Sequence, residues 1–250
     1  MILETEAIVL QTRKYSDTSK IVVLFSKEFG KISVLAKGAF NIKSKLRGLE
    51  PLSYVSICFY KKSSSNLHLL KSIEIVKPFN KITKKYDTLV AGLVVAEMIN
   101  STQKENFENK ELFNFYVIFL QILNENIEFG FSLCVNFLFY ISNNLGFLLD
   151  FNFVNSLPQN ITEIKISLYD ATNIDSFASD SSNNKSNLYQ KYFTFNFLTV
   201  KKISDFNSEV LDKKIELTNN EFSEIIKFFS AFFEFHLDKK IQIKTLDLLC

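Results

Sequence analysis

At Lys77-Pro78 the spacing of apolar residues changes from a period of two to a period of 3.6, and this switch restricts the chain to a small β-domain followed by a helical one. Before the switch come five short strand patterns, at residues 4–13, 20–26, 31–36, 52–60 and 67–76. The fourth alternates cleanly, with Val55, Ile57 and Phe59 on one face, and Phe29-Gly30 supplies a turn between the second and third. Five strands in so short a stretch fit a small barrel. The OB-fold is the commonest five-stranded example, and an SH3-like barrel shares much the same pattern. After the switch, Val90, Val94 and Met98 share one helical stripe, and Leu112, Tyr116, Phe119, Leu120 and Leu123 another. Residues 131–145 are apolar almost all round, as a central helix of a bundle would be, and Gly146 is a natural stop.

From 151 to 212 the pattern weakens. Asn, Ser and Asp cluster at 173–187, and only 163–169 and 192–198 suggest strands, so this stretch reads as an irregular insert with a small hairpin. Order returns at Thr218, which forms a capping box with Glu221 ahead of a face made by Phe222, Ile225, Ile226, Phe229, Phe233 and His236. The fold class is therefore α+β. Residues 1–78 are expected to form an OB-fold barrel and 79–250 a helical bundle domain, with 148–212 as its irregular insert.

Charge is distributed unevenly between these parts. Through Lys85 there are 16 Lys and Arg against 6 Asp and Glu, and the remainder holds 13 against 21. A basic first part beside an acidic second part points to a polyanion partner for the first. The basic charge is concentrated in LAKGAFNIKSKLRGLEP, Leu35 to Pro51, where Lys37, Lys43, Lys45 and Arg47 accompany Phe40 and no acid appears until Glu50. A mobile cationic loop carrying an aromatic suits a phosphate backbone better than a small-molecule pocket. Arg13-Lys14-Tyr15 and Lys20 flank the first inter-strand loop, and Lys61-Lys62 sits at a hairpin tip. Arg13, Lys14, Lys20, Lys37, Lys43, Lys45 and Arg47 are the candidate phosphate contacts, with Tyr15 and Phe40 as candidate base-stacking aromatics.

Enzymatic chemistry finds little footing. The two histidines, His68 in a strand pattern and His236 on an apolar helical face, have no convergent partners. Phosphate-binding glycine loops, nucleophile elbows and His/Cys metal spacings are all missing, so the chain reads as a binding protein without catalytic residues, metal or cofactor. Cys58, Cys134 and Cys250 are widely spaced, which gives no disulfide framework; the first two lie among apolar residues as small core side chains. No secretory leader pattern opens the chain, and the apolar runs are too short to span a bilayer. A soluble, cytoplasmic, nucleoid-associated protein is the expectation.

The run from Ala7 to Ser53, AIVLQTRKYSDTSKIVVLFSKEFGKISVLAKGAFNIKSKLRGLEPLS, resembles the bacterial recombination mediator family RecO. The likeness lies in the spacing of Tyr15, Asp17 and Ser19, the Phe29-Gly30 turn, the Lys37-Gly38-Ala39 step and the KSKLRG block. Leu145-Gly146-Phe147 and the ending FFEFHL, Phe232 to Leu237, add to it. The resemblance implies an OB domain joined to a helical domain. It also implies binding of single- and double-stranded DNA, annealing of complementary strands, and work with RecR in loading RecA onto DNA coated by single-strand-binding protein. The helical domain would then hold the C-terminal tail of that protein. Many members carry a four-cysteine zinc module after the Leu-Gly-Phe position, but residues 148–198 contain no cysteine, so a metal-free remnant is expected there. Read from the residues alone, an RNA-binding OB protein of translation or RNA processing, or a scaffold for an acidic protein, would share the basic first domain.

Overall fold

Alternating Ile, Val and Phe side chains need an apolar interior on one side only, and the first 77 residues meet that need by closing on themselves. In the computed structural model, which describes residues 1–41, 44–46, 48–62, 65–125, 128–158, 160–174, 191–204, 206, 211 and 214–249, five strands form a closed barrel. They are β1 (Ile2–Lys14), β2 (Lys20–Ser26), β3 (Gly30–Ala36), β4 (Tyr54–Tyr60) and β5 (Leu67–Lys77). Their order around the barrel is β1-β2-β3-β5-β4, with β4 returning to pair with β1. All pairings are antiparallel except β3 with β5, where Ser33, Val34 and Leu35 run alongside Leu67, His68 and Leu69. That order is the OB arrangement, and it resolves the choice that strand count alone leaves open.

Val9, Val22, Leu24, Val34, Val55, Ile57 and Phe59 fill the barrel, as the period-two pattern requires. One irregularity sets the direction of the cationic side chains at the end of β1. The β1–β2 register shifts between Val9 and Gln11, so the inward-facing set changes parity there. Thr12 and Lys14 therefore continue the inner series, opposite Val22 and Lys20, while Arg13 faces outward opposite Ile21.

The chain divides into two compact units, Met1–Gly130 and Phe131–Cys250. In the first, α1 (Tyr86–Thr102) and α2 (Lys110–Glu125) accompany the barrel. Helix α1 packs along β1 and buries Val90, Ala91, Val94, Val95, Met98 and Ile99, so it is covered on more than the one stripe its sequence suggests. Phe113 of α2 meets Phe25 and Tyr54 on the outer barrel wall. Between the helices, the segment around Phe107 lies against β3: the Asn106 N–H donates to the Lys31 carbonyl (2.9 Å). Gly30 is needed at that approach, with φ +63° and room for no side chain, since a Cβ there would stand 1.9 Å from the Phe107 carbonyl oxygen. Cys58 is half-buried on the outward-facing series of β4, not in the core as expected, because it lies between Ile57 and Phe59, which point inward.

In the second unit, α3 (Gly130–Asn144) is buried on nearly every face from Phe131 to Phe139. It ends as Gly146 enters the left-handed region, with the Gly146 and Phe147 N–H groups donating to the Asn143 and Ser142 carbonyls, both at 2.9 Å. The weakly patterned stretch holds an antiparallel hairpin, β6 (Glu163–Ser167) with β7 (Tyr192–Asn196), followed by the short α4 (Phe197–Ile203). Residues 175–190, which include most of the Asn/Ser cluster, lie outside the described residues. Helix α5 (Asn219–Leu237) opens with both halves of the Thr218/Glu221 capping box. Its Phe228 stands at the centre of an aromatic core, touching Phe151, Phe193, Phe195, Phe229 and Phe232.

Candidate nucleic-acid interface

The barrel end reached by β1, β2 and β3 carries two loops, residues 15–19 and 37–53, and the chain ties them together. Phe40 N–H donates to the Thr18 carbonyl (3.2 Å), joining the aromatic of the second loop to the first. Gly38, at φ +70°, makes the turn that brings Phe40 there, and the Asn41 N–H closes it on the Gly38 carbonyl (3.0 Å). Farther along, Ala39, Leu46 and Leu49 pack on the barrel core, and the Thr12 hydroxyl bonds the Leu49 carbonyl. Leu52, held at φ +70°, is buried beside Gly92 of α1, and its N–H donates to the Val9 carbonyl (2.9 Å). The described part of this loop is thus a lid seated on the barrel mouth by its apolar residues, not the free arm that its composition suggests. Lys37, Phe40 and Lys45 alternate with those anchors and are exposed.

Lys20 lies at the centre of this rim. It pairs with Lys14 on one side and Ala36 on the other. Its ammonium sits 4.9 Å from the centroid of the Phe40 ring and 3.8 Å from a Glu50 carboxylate oxygen. Lys14 Nζ contacts Asp17 at 3.1 Å. Tyr15 is 59% exposed and Phe40 47% exposed, so both rings have a free face. Among the described residues, no carboxylate lies within ion-pair distance of Arg13, Lys37 or Lys45.

The rim therefore gathers Lys14, Tyr15, Lys20, Lys37, Phe40 and Lys45. Arg13 is separated from this group by the register shift, which turns it to the outer wall. Lys43 and Arg47 lie outside the described residues. Sequence reasoning missed the two acids. Asp17 is only three residues from Lys14 and could have been suspected, but Glu50 reaches Lys20 across a gap of 30 positions that the fold alone closes.

Chemically, the described part of the rim offers cations spaced over two loops, with two solvent-facing rings on an open surface. That suits a flexible, repeating anion with planar groups. Residues 1–79, the whole barrel and both loops, match the family described as "Recombination protein O N terminal". The DNA repair protein RecO of Mycoplasma mycoides subsp. mycoides is 29% identical over 220 residues, covering 84% of this chain and 88% of that one. The first 79 residues are thus similar to the RecO family, and most of the chain is similar to one RecO protein. It is similar also to the proteins named DNA repair protein RecO of Salinibacter ruber, 36% identical over 49% of this chain and 48% of that one, and Bacillus subtilis, 33% identical over 51% and 50%. The chain spans about half the length of most of the curated RecO relatives it matches.

Proposed function

We propose that this protein is a DNA-binding recombination mediator acting in DNA repair. It would anneal complementary single strands and help to load recombinase onto DNA coated by single-strand-binding protein. The observation that carries this reading is the Phe40–Thr18 hydrogen bond, which makes one cationic, aromatic rim from two loops of a RecO-type OB barrel. The relatives' name, DNA repair protein, favours DNA as the polyanion. Lys14, Lys20, Lys37 and Lys45, with Lys43 and Arg47 of the same loop, would neutralise phosphates and release counterions, giving affinity that is salt-sensitive and largely independent of sequence. Tyr15 and Phe40 would stack bases, and Arg13 would take a phosphate on the outer wall. Strands held on one basic surface lose mutual repulsion and gain local concentration, so pairing needs no nucleotide hydrolysis. RecR, the C-terminal tail of single-strand-binding protein and, indirectly, RecA are the partners this role would involve. The helical part, residues 79–250, with its excess of acidic residues, is the candidate for docking them.

The test is annealing of complementary oligonucleotides followed by fluorescence, with no nucleotide or metal added, at low and moderate salt. Acceleration that fades with salt, and is lost when Lys43, Lys45 and Arg47 are reversed to Glu, is the expected result. Binding without acceleration would reduce the protein to a passive OB binder. Tighter binding to RNA than to DNA of the same sequence would move the assignment to RNA, since the 2′-hydroxyl is what separates the two.

A further inference from the structure

The β6–β7 hairpin of the second unit has two edges, and the chain closes one of them. On β6 the residues that follow it double back: the Ser167 N–H donates to the Thr172 carbonyl (2.9 Å) and the Ile174 N–H to the Lys165 carbonyl (3.0 Å). On β7 the register decides which backbone groups face outward. The Leu168 N–H donates to the Lys191 carbonyl (3.0 Å) and the Phe197 N–H to the Thr162 carbonyl (2.9 Å). Lys191, Phe193, Phe195 and Phe197 therefore turn their N–H and C=O groups toward β6, and Tyr192, Thr194 and Asn196 turn theirs away from it. The Asn196 N–H is taken by a Glu224 carboxylate oxygen at 2.7 Å. Among the described residues, nothing bonds the outward N–H and C=O groups of Tyr192 and Thr194.

This edge is held firmly and has room beside it. Phe193 and Phe195 anchor β7 to Phe228 of the core, at 5.8 and 5.0 Å between ring centroids. A groove of about 590 Å³ lies against the edge, lined by Thr194 and Asn196 of β7 and by Asn220, Ser223 and Lys227 of α5. From Tyr192 to Asn196 the outward groups span roughly 13 Å, the reach of a short extended peptide. Charge is graded along that length. Glu163, paired with Asn196, and Glu224 stand at one end. At the other stand Lys191 and Lys165, whose ammonium lies 5.4 Å from the centroid of the Tyr192 ring. Helix α5 runs opposite to β7, since Glu224 meets Asn196 and Phe235 meets Lys191, so Lys227 lies on the lysine side of Glu224. Lys202 and Glu221, 2.7 Å apart, neutralise each other.

We propose that the open edge of β7 accepts one extended segment of a partner protein as a third strand, antiparallel to β7, with a basic residue at the Asn196 end and an acidic residue at the Tyr192 end. An unpaired strand edge is a template for such addition, in which backbone bonds give affinity and side chains give specificity. Antiparallel pairing lets Thr194 exchange both of its outward bonds with a single partner residue. The graded charge then selects a segment of mixed charge, because a uniformly acidic one matches the lysine end alone. This inference is independent of the nucleic-acid reading of the rim.

Short peptides test it. The full-length protein is titrated, by amide NMR, with the peptides RTVTVTE, ETVTVTR and ETVTVTE, each blocked at both termini. RTVTVTE is expected to shift the Tyr192 and Thr194 amide signals and slow their exchange with solvent, while Ile164 and Ile166, bonded within the hairpin, stay put. ETVTVTE should bind about 1.4- to 5-fold more weakly, the worth of one surface charge pair, and ETVTVTR more weakly still. Thr194→Pro removes an N–H that β6 does not use and should abolish binding with the circular dichroism spectrum unchanged. Lys165→Glu/Lys227→Glu should weaken RTVTVTE, which decides the matter if the proline variant does not fold. Unmoved Tyr192 and Thr194 signals with every peptide, or binding that survives in folded Thr194→Pro, would overturn the open edge. Unchanged affinity in the lysine variant would overturn the charge selection, and ETVTVTR binding as tightly as RTVTVTE would overturn the antiparallel direction. ETVTVTE binding most tightly of the three would give the groove to an acidic tail instead.

Discussion

Replacing Glu50 by Gln should tighten DNA binding, although Glu50 lies in the loop proposed to hold DNA. The carboxylate stands 3.8 Å from Lys20 Nζ, with the lysine side chain 19% exposed and the glutamate 70% exposed. At that separation the bare attraction is about 1 kcal/mol in water and about 4 kcal/mol at a surface-like dielectric. Exposure of the glutamate and screening by salt reduce it to the range measured for surface pairs, roughly 0.2–1 kcal/mol. A phosphate that recruits Lys20 must give up that amount, so its removal should improve affinity for a single-stranded oligonucleotide by about 1.4- to 5-fold. Lys20 would then act as a full phosphate contact, steepening the salt dependence by up to about 0.7 in log Kd per log salt. Fluorescence anisotropy with a labelled oligonucleotide between 50 and 200 mM salt reads both quantities. The gain should shrink when Lys20 is already Ala, because the same pair is being removed twice. Unchanged or weaker binding by Glu50→Gln, or a gain that persists without Lys20, would refute the placement of Lys20 in the interface.

Changing Lys37 and Lys45 together to Ser should lower the salt slope by about 1.4, which near 50 mM salt corresponds to roughly 7-fold weaker binding relative to the same comparison at 200 mM; an unaltered slope would remove both from the rim. Gly30→Ala should destabilise the first unit by about 3–5 kcal/mol, combining a left-handed backbone with loss of the Asn106–Lys31 bond and strain on the Lys31–Asn100 bond. Urea unfolding followed by circular dichroism reads this, and a loss under about 1 kcal/mol would mean that the segment bearing Phe107 is not seated on β3. Stability should also fall as pH drops through about 6.5. Burial holds both His68 and His236 below their ordinary values, so the unfolded chain takes up protons first as pH falls. The decline should flatten in the His68→Gln/His236→Gln variant, and an identical pH profile in that variant would contradict the burial of both rings.

The sequence by itself determined the elements and their order. Period-two runs ending at Lys77-Pro78 call for an apolar interior on one face, which the barrel supplies, and the strands occur where the alternation places them. The Thr218/Glu221 box and Gly146 fix helix ends through local hydrogen bonds, which depend on residues a few positions apart. The cationic loop was legible because Lys and Arg without neighbouring acids is a property of the chain itself. Tertiary structure decided what depends on register and on distant pairing. A one-residue shift in β1 put Lys14 on the inner series and Arg13 on the outer wall, the reverse of what unbroken alternation from Val9 gives, and alternation alone cannot show such a shift because it reverses parity without changing composition. Closure of the barrel brought Glu50 to Lys20 and Phe40 to Thr18, and it seated Leu46, Leu49 and Leu52 as anchors of a loop that otherwise reads as free. It also selected the OB strand order, through the parallel meeting of β3 and β5, which two separate runs of sequence can make only once the barrel has closed.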